Sequence, residues 1–214
     1  LKVSIELSQV TATFVSSILI NEPLTLKNFV EDTIRIEVDA LGYLKGCGYD
    51  LEITQMVDST GKQPTIFGVG IPILMGREKD IDAKFNDLMK LFSEPNGFYL
   101  QRAFADMREA IRSPKDTGFF CYRAIESLKH YFQMHKSAKD EKESWEQLRA
   151  ELDANRADIE SIKKFADPVR HGGSTYISDA HRAEIFKSTW GIVDKFIAYS
   201  VNGYKKVSST RQES

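Results

Sequence analysis

Asp116-Thr-Gly-Phe-Phe-Cys-Tyr-Arg-Ala-Ile-Glu-Ser-Leu-Lys-His-Tyr-Phe-Gln-Met134 decides the fold. Phe119, Tyr122, Ile125, Leu128 and Phe132 recur every three or four residues, the spacing that puts side chains on one face of an α-helix. Five large apolar residues on one face need several partner surfaces. The flanking sequence supplies them. Upstream, Ile81–Phe92 and Phe98–Ile111 repeat the pattern, separated by Glu94-Pro-Asn-Gly97, and Ser113-Pro114 marks the next break. Downstream, the polar run His135–Lys142 reads as a loop and Ser144–Leu152 and Arg156–Ala166 as shorter helices. The last helix runs over about Ala180–Val201, capped by Ser178 or Asp179, with Ile185, Trp190 (or Thr189), Ile192, Val193, Phe196 and Ile197 on its apolar face.

The grammar differs before Asp80. Lys2–Leu7 alternates with a period of two, and Val10–Ile20 is rich in β-branched residues, so these runs form one bent strand or a strand pair. Thr25 is placed to cap a helix over about Leu26–Leu44, with Phe29, Val30, Ile34, Val38 (or Ile36), Leu41 and Leu44 as its stripe. The β-branched content leaves a strand as the alternative there. Gly42, Gly46 and Gly48 interrupt the chain. Tyr49–Val57 and Thr65–Val69 read as a hairpin around Asp58-Ser-Thr-Gly61. The expected class is α+β: a small β-α-β-β subdomain over residues 1–78, a helical bundle over 79–203 and a polar tail over 204–214.

The whole chain has 214 residues, 42% of them hydrophobic, and a net charge of −2, a globular composition. That charge is unevenly spread. Residues 1–96 hold 9 Lys and Arg against 14 Asp and Glu, and residues 97–214 hold 20 against 17. A surplus of three positive charges in the second part is too small for a strong nonspecific nucleic-acid binder, so any such role has to rest on a local site. No apolar run reaches the roughly 18 residues of a membrane span. Cys47 and Cys121 make no disulfide framework and cannot alone build a four-ligand zinc site, so a reducing cytoplasm is the expected compartment. Phosphate loops, nucleophile elbows and metal-binding His or Cys pairs are missing from the sequence, so neither cofactor nor metal is expected.

One stretch carries chemistry: Lys163-Lys164-Phe165-Ala166-Asp167-Pro168-Val169-Arg170-His171-Gly172-Gly173. Pro168 disfavours helical geometry at Asp167, which predicts a helix end near Ala166 and a new turn capped by Asp167. An imidazole beside a guanidinium suits a phosphodiester. Histidine moves protons near neutral pH, and arginine holds phosphate oxygens with a planar fork. A structural reading stands beside it, in which Asp167 caps a turn, Arg170 pairs with a carboxylate and His171-Gly172-Gly173 ends a helix. Earlier in the bundle, Arg123 and Glu126 are three residues apart and able to pair, with Glu126 a candidate to orient Arg170 or His171.

An all-helical domain whose later helices lead to a polar segment ending in His-Gly resembles the HEPN superfamily, and the helix around Phe120-Cys-Tyr-Arg123-Ala-Ile-Glu126 is similar to its earlier helix. The resemblance spans about residues 80–203. It implies an RNA-directed protein of prokaryotic or phage defence, metal-independent RNA cleavage and a homodimer with two motifs in one cleft. His171 would serve as base or acid at a ribose 2′-hydroxyl, with Arg170, Asp167 and Lys164 as its companions and Arg123 and Glu126 behind. The chain departs from the family at the arginine. In the family it precedes the histidine by several residues, where this chain has Lys164, Phe165 and Ala166. The second expectation is therefore a non-catalytic interaction module that homodimerises or docks onto a larger assembly.

Overall fold

The computed structural model describes residues 2–6, 9–15, 23–57, 64–67, 71–173 and 175–206. The chain divides into two compact units, Leu1–Gly70 and Ile71–Ser214.

In the first unit, β1 (Lys2–Glu6) and β2 (Gln9–Thr13) form an antiparallel pair in which Ser4 faces Thr11. Of the two readings of this run, the strand pair is the one adopted. A long helix, α1 (Pro23–Lys45), follows, and then β3 (Gln55–Met56) pairs antiparallel with β4 (Thr65–Ile66). Among the described residues the order is therefore β-β-α-β-β, with two two-stranded sheets, where the sequence suggested β-α-β-β. The expected Asp58–Gly61 turn lies outside the described residues.

α1 begins at Pro23, two residues before the expected cap Thr25. Proline suits a first helical turn because its missing N–H would have no intrahelical partner there. Val30, Ile34 and Leu51 form the small core, flanked by Leu26, Val38 and Ile53. Phe29, Ile36, Leu41 and Leu44, also read as candidates for the stripe, are exposed. Beside this core, Arg35 donates to the Leu51 carbonyl at 2.6 Å and to Glu31 at 3.0 Å.

The second unit is helical: α2 (Ile81–Ser93), α3 (Gly97–Arg112), α4 (Thr117–His135), α5 (Glu141–Leu152), α6 (Arg156–Arg170) and α7 (Asp179–Val201). The quoted stretch is α4, and it packs against α3, α5, α6 and α7. Its Cys121, Ala124, Ile125, Leu128 and Phe132 are fully buried. The α4–α6 crossing is close because α4 presents Gly118 there. A Cβ on Gly118 would lie 2.5 Å from that of Phe165. Ile71–Glu78, read from the sequence as the end of the first part, belong to this unit, with Ile71 and Leu74 against the main core and Arg77 paired with Asp194.

Two cations join helix ends through backbone carbonyls. Arg182, on the first turns of α7, donates to Thr117 Oγ1 at 2.9 Å and to the Ala110 and Ile111 carbonyls at 3.2 and 2.6 Å. Those carbonyls belong to the last turn of α3, where acceptors lack intrahelical donors and the helix dipole favours positive charge. At the other end, Lys195 donates to the Asp153 carbonyl at 2.6 Å, just after α5.

Candidate functional site

α6 does not stop at Ala166. It runs through Pro168 to Arg170, and Asp167 lies inside it rather than capping a turn. Proline here removes one N–H near the end of a helix whose Ile159, Ile162 and Ala166 are buried, and that packing outweighs the lost donor. The chain then ends the helix by another device. Gly173 N–H donates to the Pro168 carbonyl at 2.8 Å and Gly172 N–H to the Val169 carbonyl at 3.1 Å, with Gly172 at φ +79°. This is the paired-bond helix ending that places glycine in the left-handed region. His171-Gly172-Gly173 thus has a structural explanation of its own, the one anticipated beside the chemical reading.

Because α6 is continuous, Lys164, Asp167 and His171 fall at i, i+3 and i+7 on one side of its last two turns. Lys164 and His171 are exposed and Asp167 is half-buried. Among the described residues, no side chain hydrogen-bonds the His171 imidazole. Arg170 turns away from that line and towards α4. Its Nη1 lies 3.4 Å from Glu126 Oε1, and its guanidinium carbon is 5.9 Å from the centre of the Tyr122 ring. The carboxylate expected to orient Arg170 or His171 therefore meets Arg170. Arg123 does not pair with Glu126. It bonds Asp106 of α3 at 3.0 Å and lies over the Phe119 and Phe120 rings.

Burial dominates the electrostatics of both carboxylates. The Glu126 carboxyl is pushed above its ordinary range by desolvation, against the pull of Arg170 and Lys129. Asp106 is raised for the same reason, against Arg123 and Arg102. Lys129, almost buried, is held between Glu141 at 3.1 Å and the Trp145 ring at 5.4 Å. The Glu141 carboxyl is lowered, chiefly by its hydrogen bond to Lys129.

On the other side of Glu126, α3 and α4 border an open groove of about 450 Å³. α3 contributes Phe98, Tyr99, Arg102 and Asp106, and α4 contributes Arg123, Glu126, Ser127, Lys129 and His130. Sequence reasoning passed over Phe98, Tyr99, Arg102 and Asp106. The available signal was their spacing, since Phe98, Arg102 and Asp106 recur at i, i+4 and i+8 on the side of α3 that faces Arg123 and Glu126. His130 and His135 are exposed, and both reach Tyr99, at ring separations of 6.0 and 5.7 Å.

Among the described residues, no three His, Cys, Asp or Glu side chains are grouped to hold a metal ion. No described helix is long and apolar enough to cross a membrane. No curated protein and no solved structure matches the chain. Two family matches divide it much as the units do. Residues 1–67 match the domain of unknown function DUF8168, N-terminal domain, and residues 85–201 match its C-terminal domain. The β-β-α-β-β unit and the bundle carrying Arg170 and His171 are thus the two halves of one family's architecture, and the chain belongs to the DUF8168 family.

Proposed function

We propose that the helical unit is a HEPN-like, RNA-directed module whose α6 end engages a phosphodiester. The observation that carries the reading is the end of α6 itself, where an exposed imidazole at His171 follows, one residue on, a guanidinium that turns to Glu126 and the Tyr122 ring. A guanidinium held in this way keeps part of its donor fork for phosphate oxygens. Lys164 and Asp167 lie along the same side of α6 as His171 and complete the polar surface.

In its stronger form the reading includes cleavage. His171 takes the proton of a ribose 2′-hydroxyl, and that oxygen attacks the adjacent phosphorus. The bond to the 5′-oxygen breaks, and the leaving oxygen takes up a proton. Arg170 stabilises the charge on the non-bridging oxygens. The products are a 2′,3′-cyclic phosphate and a 5′-hydroxyl.

The test is incubation of single-stranded RNA with the full chain in EDTA, as wild type and His171→Ala, with binding measured in parallel for Arg170→Ala. The expected result is RNA binding weakened in Arg170→Ala. Cleavage lost in His171→Ala establishes the stronger form, and a wild type that neither binds nor cleaves RNA removes the reading.

A second reading, a non-catalytic module that homodimerises or docks onto a larger assembly, is favoured by the helix ending described above. Gly172 and Gly173 are accounted for by backbone geometry alone. Light scattering on the purified chain separates the two readings when RNA binding is absent: a monomer leaves docking onto a different protein as the form of this reading that survives.

A further inference from the structure

The groove between α3 and α4 shares a wall with the α6 end. Glu126 lines the groove and also bonds Arg170, so a ligand at Arg170 is one side chain away from it. Its chemistry is that of a surface for unpaired nucleotides. Phe98 at the groove edge is 53% exposed, which leaves a ring face open to stacking. The guanidinium of Arg102 lies 5.7 Å from the centre of that ring. Among the described residues, no carboxylate stands within ion-pair distance of Arg102. Tyr99 and His130 add two more rings, in edge contact at 6.0 Å. Single-stranded nucleic acid is held by this combination, with aromatic faces under the bases and cations along the backbone. Duplex binding would call for a broad basic face, and the small charge surplus of this unit does not supply one.

We propose that the α3–α4 groove is a subsite for single-stranded RNA, in which Phe98 stacks a base and Arg102 and Arg123 hold phosphates of the nucleotides next to the one at Arg170. The inference rests on the RNA-directed reading of the α6 end and names where the rest of the strand runs. Arg123 reaches the phosphate from its pairing with Asp106. Arg102 needs no release, and its removal is the cleaner probe.

The experiment is fluorescence anisotropy of a labelled oligouridylate of about 12 nucleotides, a length within the usual range for single-strand sites. It uses the full chain as wild type, Phe98→Ala, Arg102→Ala and Arg170→Ala, over a salt series. Phe98→Ala is expected to weaken binding roughly 5- to 150-fold, the range for loss of one stacked base. Arg102→Ala is expected to weaken it and to lower the slope of log affinity against log salt by about 0.7, one phosphate contact on a single strand. Wild-type affinity and slope in both groove variants, with binding weakened in Arg170→Ala, overturns the groove and leaves the α6 reading standing. A wild type that does not bind overturns both. Far-ultraviolet circular dichroism of each variant confirms that it is folded, and Arg102→Glu, a reversal at an exposed position, gives a second reading of the same contact.

Discussion

At the scale of single residues, half-buried polar groups set the sharpest expectations. Arg182 ties the end of α3 to the start of α4 through three hydrogen bonds from one planar group. Arg182→Ala should destabilise the chain by about 3 kcal/mol, the upper range for a hydrogen-bonded charged group. Arg182→Lys should recover little of that, because an ammonium cannot reproduce the fork. Urea midpoints with an unchanged slope would show it. Glu126 gives a pH expectation. Its carboxyl titrates above the ordinary range in the folded chain, so the native state binds the proton more tightly than the unfolded one. Its contribution is fully present below the ordinary carboxylate range and is lost as pH rises through the raised value. The stability of Glu126→Gln relative to wild type should therefore increase with pH across that window, as read by urea midpoints at several pH values. A constant difference would show that desolvation does not govern this group. The thiols divide as clearly. Cys121 is fully buried with its thiol pushed up to about 12, while Cys47 is exposed. One thiol per chain should react with a disulfide reagent in native buffer and two after denaturation.

At the scale of elements, glycines separate backbone need from open space. Gly172 sits at φ +79° at the end of α6, and Gly172→Ala should cost about 1–2 kcal/mol. Gly191 lies inside α7 with nothing within 4 Å of where a Cβ would go, and Gly191→Ala should stabilise by up to about 1 kcal/mol. Thermal melts of the two variants should shift in opposite directions. The elements also show what periodicity can reveal. α2, α3, α4 and α7 were legible because their apolar residues recur at helical spacing and their ends carry turn or cap residues. α6 was read four residues short, because a proline rule that holds for an isolated segment yielded to packing on α4. The α1 stripe was only half legible. Hydrophobicity marks residues able to be buried, and among the described residues the core cluster of the first unit takes in Val30 and Ile34 from that stripe, with Val38 packed beside it. At the candidate site, Arg170, His171 and Glu126 stood out by residue type, whereas Arg123's partner did not. The Asp106–Arg123 pair joins two helices, and a spacing rule within one helix cannot find it.

At the scale of the whole molecule, the helical unit buries a continuous set from Leu91 to Tyr199, drawn from α2 to α7, and in the first unit the described residues that are buried and apolar are Val30, Ile34, Leu51 and Phe67. Residues 71–206 expressed alone should fold and unfold in a single cooperative transition, measured by circular dichroism.

The placement of Trp145 has an optical consequence. Its indole stacks on Tyr122 at 5.7 Å and carries Lys129 on its face, and Tyr122 is the ring under Arg170. The chain's other tryptophan, Trp190, packs on Phe186 within α7. Emission from a Trp190→Phe variant would come from Trp145 alone, so the protein carries its own chromophore one ring away from the guanidinium on which its function is proposed to turn.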